Sequence, residues 1–187
     1  MAIDLFISIL LKQSDLKMIE EKLKISKFYF NRQFHWISHE DMHVTLAFIK
    51  NVAEKDVSKF AHLVSKVEKS VGLQTNIVDI IRFRSALAVA LTPASLFIKL
   101  KTRVEALYME SGLNTYALEK TVQFTPHITL ARMPGQAVIG SSLEQQVVQE
   151  LKKVLIPRTV TLDGMALMTR IPHKVVAPVY KILAYGQ

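Results

Sequence analysis

The chain runs to 187 residues, half of them hydrophobic, enough to bury a core in one domain or two small packed lobes without covalent staples. It has no cysteine, which excludes disulfides, thiolate metal sites and a cysteine nucleophile. The formal charge of +8, from 24 basic against 16 acidic side chains, favours a polyanionic partner such as RNA but names none.

The first eleven residues are apolar but include Asp4, with no leading basic residues and no small-residue cleavage site. They predict a strand over 3–11 rather than a targeting leader. No stretch approaches the ~18 uninterrupted apolar residues of a membrane span, so a soluble, cytoplasmic protein is expected. Ser14 is placed to cap a helix carrying Leu16, Ile19 and Leu23. A short strand over 34–37 and a polar turn over 38–41 precede a strand over 42–49.

A helix is predicted over 54–71, with Val57, Phe60, Ala61, Val64, Val67 and Val71 on its apolar face and Gly72 at its stop. Strands over 73–81 and 86–91 follow, then a helix opened by Pro93, carrying Leu96, Leu100, Val104 and Leu107 and closed by Gly112. The second half repeats the order. A strand spans 127–132, and Ser141 with Glu144 forms a capping-box pattern. The helix it opens buries Leu143, Val147, Val148, Leu151, Val154 and Leu155, with Pro157 beyond, and strands over 159–171 and 179–185 close the chain.

The halves match in spacing: 28 positions separate His43 from Val71, and 28 separate His127 from Leu155. An internal repeat of this length points to two similar lobes. The expected fold is α+β, pseudo-symmetric and bilobal, with two antiparallel-rich sheets and outer helices around a central cleft, the whole of 1–187 forming a single domain.

Each half contains the same tetrad, His43-Val44-Thr45-Leu46 with Ala47-Phe48 after it, and His127-Ile128-Thr129-Leu130 with Ala131-Arg132. Two chance copies are expected in roughly one in a thousand chains of this composition, so the pair carries weight that one copy would not. Side chains alternate along a strand, so each tetrad shows a histidine and a threonine on one face and buries two aliphatic residues on the other. If the lobes are symmetric, the imidazoles meet across the cleft. One histidine would serve as base for an attacking water and the other as acid for a departing sugar oxygen, which suits a cyclic phosphodiester. Thr45 and Thr129 would bind phosphoryl oxygens and Arg132 would stabilise their charge, although strict alternation puts Arg132 on the face of Leu130.

Other residues weigh less. His35, His39 and His43 are spaced i, i+4, i+8, which on one helix would make a metal face, but they fall on strands and a turn, so no metal and no cofactor is expected. His62 lies beside an apolar stripe, and His173 lies in a loop with Pro172 and Lys174. Trp36, Tyr116 and Phe124 could stack a base, with core packing as the plainer reading.

The tetrads and their flanks, Phe34-His35-Trp36-Ile37 before the first and Pro126 with Ala131-Arg132 around the second, resemble the two-histidine (2H) phosphoesterases. The nearest likeness is to the LigT-like RNA 2′,3′-cyclic phosphodiesterases, also called 2′-5′ RNA ligases. The resemblance implies a bilobal fold, 2′-phosphomonoester products, His127 as base, His43 as acid and a phosphate-binding Arg132. Lys50 stands where that family often has glycine. The expected partners are RNA ends or nucleotide cyclic phosphates, met by a monomer. The alternatives are a phosphodiesterase for 2′-5′ oligoadenylates or small cyclic nucleotides, and a non-catalytic module that binds RNA ends.

Overall fold

The computed structural model describes residues 2–67, 71–83, 85–119, 123–133, 142–171 and 179–186. In β1 (Ala2–Leu11), Leu5, Ile7, Ile9 and Leu11 alternate into the core, as a half-buried strand requires. Helix α1 (Gln13–Phe30) buries Leu16, Ile19 and Leu23. It starts one residue before the expected cap. Lys12 takes the cap position with no side-chain bond, and Ser14 lies exposed in the first turn. Asp15, the acidic residue of that turn, accepts instead from the Thr161 backbone N–H at 2.7 Å, tying the helix start to a distant strand.

The remaining elements are β2 (His35–Trp36), a 3-10 turn at His39–Asp41, β3 (Val44–Ala53), α2 (Val57–Ser65), β4 (Gln74–Phe83), β5 (Ala86–Thr92), α3 (Ala94–Glu110), β6 (His127–Arg132), α4 (Ser142–Leu155), β7 (Arg158–Ile171) and β8 (Val179–Gly186). Gly112 closes α3 with φ +71°, the left-handed position that favours glycine after a helix. Ser141 lies outside the described residues. Its expected partner Glu144 is buried and meets the Arg82 guanidinium at 3.0 Å.

Helix α2 is shorter than its apolar pattern. A 3-10 turn occupies Glu54–Asp56, the α-helix ends at Ser65, and Val71 is exposed. Gly72, with φ +81°, belongs to the turn that feeds β4, where its N–H donates to Leu162 O at 2.9 Å. The 28-position match between the halves therefore does not mark equal helix ends. Val67 and Val71 continue the heptad-like spacing past the point where the chain must turn back to the sheet.

All strand pairs among the described residues are antiparallel, and the ladder runs β2-β6-β5-β4-β7-β1-β3, with β8 also on β7. The two expected sheets are the two ends of this one ladder. The first four residues of the 14-residue β7 pair with β4, and the rest lies between β1 and β8. Helices α2 and α4 cover β8 and β4 respectively, α1 packs on α4, and α3 touches both β3 and β5.

The two halves also exchange edge segments. β2 comes just before the first tetrad yet pairs with β6, which carries the second. The segment 117–119 comes before the second tetrad yet lies along β3, which carries the first. There Glu119 N–H donates to Phe48 O at 2.9 Å and Lys50 N–H to Ala117 O at 3.3 Å, with Ile49 bridging Leu118. Each histidine strand is thus completed on its outer edge by the residues leading to the other histidine.

Candidate active site

A cavity of about 420 Å³ opens between the two tetrads, and His43, Thr45, His127, Thr129 and Arg132 all line it. The symmetry extends to the ring nitrogens. His43 Nδ1 lies 2.7 Å from the carbonyl of Asp41, and His127 Nδ1 lies 2.7 Å from the carbonyl of Thr125, in each case two residues back. A carbonyl only accepts, so Nδ1 carries the proton in both rings and Nε2 is left as the atom for a ligand.

Both tetrads contain a β-bulge at the same leucine. In the first, Thr45 pairs with Ser8 and Ala47 with Ile7, leaving Leu46 as the extra residue. In the second, Thr129 pairs with Ala88 and Ala131 with Leu87, leaving Leu130 extra. A bulge resets the alternation of faces. Arg132, opposite Ala86, therefore returns to the face of Thr129, and Phe48, opposite Phe6, returns to the face of Thr45. That is why Arg132 reaches the cavity although strict alternation would turn it away. Its Nε is buried and has no hydrogen-bond partner among the described residues.

An aromatic ring packs against each histidine. Tyr180, on β8, meets His43 edge-on at 4.6 Å, and Phe83, at the end of β4, stacks on His127 at 4.6 Å. Asp41 works at both ends: its carbonyl holds His43, and its carboxylate accepts the Tyr180 backbone N–H at 3.0 Å. Burial raises the Asp41 carboxyl above the usual carboxylate range, against the opposing pull of that N–H.

Burial also pushes the His43 imidazole from 6.5 down to about 4, helped by the nearby His127 and Arg132 and opposed by the Asp41 carbonyl. His127 is lowered too, first by burial and then by Arg132, with the Thr125 carbonyl opposing. Without a ligand, both rings are neutral at pH 7 and face a cation.

Most of the other sequence candidates lie elsewhere. His39 pairs with Glu20, and Tyr116 donates to Asp56 at 2.6 Å. Trp36 packs against the core beside Phe34, and His62 is exposed on α2. Phe124 lines the cavity, and His173 lies outside the described residues. His35, His39 and His43 do not converge; among the described residues no group of three or more His, Cys, Asp or Glu is placed to hold a metal ion. Phe6, Phe48, Phe83, Glu119 and Tyr180 line the cavity without having been singled out from sequence. For Phe48 the signal was there, since it occupies the same place after its histidine as Arg132 does.

No family model and no curated protein matches the chain. Solved structures do. TT0787 of Thermus thermophilus superposes with a TM-score of 0.71 at 19% identity, over 98% of this chain and 96% of that one. LigT of E. coli, complexed with 3′-AMP, gives 0.67 at 18% identity over 99% and 97%. The MHV ns2 PDE domain gives 0.62 at 11% identity over 89% and 99%. The chain therefore has the fold of TT0787, E. coli LigT and the MHV ns2 PDE domain, and on it two histidine strands of its own face one cavity.

Proposed function

We propose that this protein is a phosphodiesterase that opens 2′,3′-cyclic phosphate ends of RNA, or the equivalent nucleotides, to 2′-phosphomonoesters. The observation that carries the reading is the matched pair of imidazoles, each fixed through Nδ1 and each offering Nε2 to one cavity beside Arg132. E. coli LigT has been crystallised with 3′-AMP and with ATP, which supports a nucleotide-sized ligand for this fold. A cavity of about 420 Å³ lies within the ordinary range for small-ligand sites.

In this mechanism His127 Nε2 takes a proton from water as the water oxygen bonds to phosphorus. The P–O3′ bond breaks, His43 delivers a proton to O3′, and the phosphate stays on O2′. Arg132 and the Thr45 and Thr129 hydroxyls hold the non-bridging oxygens while charge builds on them. A bound phosphate offsets the Arg132 charge that depresses both rings, so substrate itself raises the acid's affinity for its proton. Two imidazoles and a guanidinium fill the acid, base and electrophile roles, so turnover is expected to survive excess chelator. The test is hydrolysis of the four nucleoside 2′,3′-cyclic phosphates and of a cyclic-ended RNA, with product position read by phosphorus NMR. A 2′-phosphate product supports the proposal. No turnover, or a 3′-phosphate product, overturns it.

A further inference from the structure

The two flanks of the cavity differ in chemistry although the backbone repeats. At the position where the second tetrad places Arg132, the first places Phe48, which stacks on Phe6 with ring centroids 4.6 Å apart. The exposed Lys50 holds its ammonium 5.5 Å over the Phe48 ring. Beside them Glu119, fixed by its backbone N–H to Phe48 O, brings a carboxylate to the cavity wall.

A carboxylate lining an anion site repels the ligand unless it has another use. Among the described residues two acidic ones line this cavity, and the carboxylate of Asp41 is engaged by the Tyr180 N–H. No described residue bonds the Glu119 carboxylate. The ligand that fits is anionic at the Arg132 flank and presents an aromatic ring with outward N–H groups at the Glu119 flank. An ionised carboxylate only accepts hydrogen bonds. Guanine is the RNA base with two adjacent donors, N1–H and N2–H, on its pairing edge, matching the two carboxylate oxygens side by side. Adenine and cytosine pair one amino donor with an acceptor nitrogen. Uracil flanks its N3–H with two carbonyl oxygens that face the carboxylate unfavourably.

We infer that Glu119 is a specificity-determining residue that selects guanine at the base end of the cavity, so that the preferred substrate is a guanosine 2′,3′-cyclic phosphate end. The inference rests on the nucleotide reading of the site but is tested by binding alone. Titration calorimetry at pH 7 with the four nucleoside 2′-monophosphates should rank 2′-GMP tightest, by about tenfold, and 2′-UMP weakest, since a good bidentate pair discriminates by that order. Glu119→Gln, whose amide turns a donor toward the base, should bring 2′-GMP to within about twofold of the others, and Glu119→Ala should do the same. Glu119 is exposed, so neither variant perturbs the core, and circular dichroism checks the fold. Equal binding of the four by the wild-type protein, no binding of any, or a guanine preference that persists in both variants would overturn the inference. A Glu119-dependent guanine preference without hydrolysis of any cyclic nucleotide would uphold Glu119 as the residue that selects guanine and overturn the proposed activity.

Discussion

His43 and His127 differ from ordinary surface histidines in that burial lowers both rings from the free imidazole value, that of His43 to about 4. Three outcomes follow at this scale. Replacing either ring with Ala should lower turnover by about two to four orders of magnitude, with circular dichroism unchanged; near-normal rates in either variant would remove the two-histidine mechanism. The reaction needs one ring charged and one neutral, and both free-enzyme values are shifted down. The profile of kcat/KM should therefore be a bell whose maximum lies on the acid side of pH 6.5, its limbs belonging to the pair. A maximum above pH 7.5 would contradict the burial described. The same shift acts on stability. Between 6.5 and about 4 the unfolded chain binds protons that folded His43 refuses, so stability falls as pH drops through that window and levels below it. Thermal melts from pH 7 to 4 should show this slope, and His43→Asn should flatten part of it.

Among the elements, the bulge at Leu130 decides whether Arg132 faces cavity or core. If the guanidinium grips the phosphoryl oxygens, Arg132→Lys should cost about tenfold or more in kcat/KM, because an ammonium lacks the planar fork. Equal rates would place Arg132 outside the phosphate contacts. Asp41 joins the 3-10 turn to β8. Asp41→Ala should therefore lower unfolding free energy by about 1–3 kcal/mol, while Asp41→Asn, which keeps an acceptor, should lose less; urea titration compares them. The bulges also mark the limit of what the sequence displays. Alternation identified the strands of both tetrads and the faces of His43, Thr45, His127 and Thr129. A bulge, however, depends on the partner strand's register, and nothing local to Leu46 or Leu130 announces it. The partners of the two rings were equally hidden, since Tyr180 and Phe83 reach the site from strands far along the chain. In α2 the reverse happened: the apolar spacing of Val67 and Val71 read on past a helix that had already ended.

For the whole molecule, β7 runs through both halves and each half lends the other an edge segment, so neither half keeps all its backbone bonds alone. We predict a single cooperative unfolding transition of the entire chain. Trp36, the sole tryptophan, sits on the exchanged strand β2 and reports one half, while far-UV dichroism reports both. Their urea transitions should coincide; separated midpoints would reveal lobes that fold independently.

The long reach of β7 also bears on how the chain is made. A ribosome releases β1 and β3 well before β7, so β1 can pair with β3 while its other edge waits for Leu162–Thr169. Until β7 emerges the nascent protein therefore carries an unpaired strand edge rich in aliphatic residues, the kind of surface that invites strand addition between chains. Completion of the cavity comes later still, because Tyr180 follows β7 in the chain. The nascent chain thus holds His43 long before it holds the ring that packs against it.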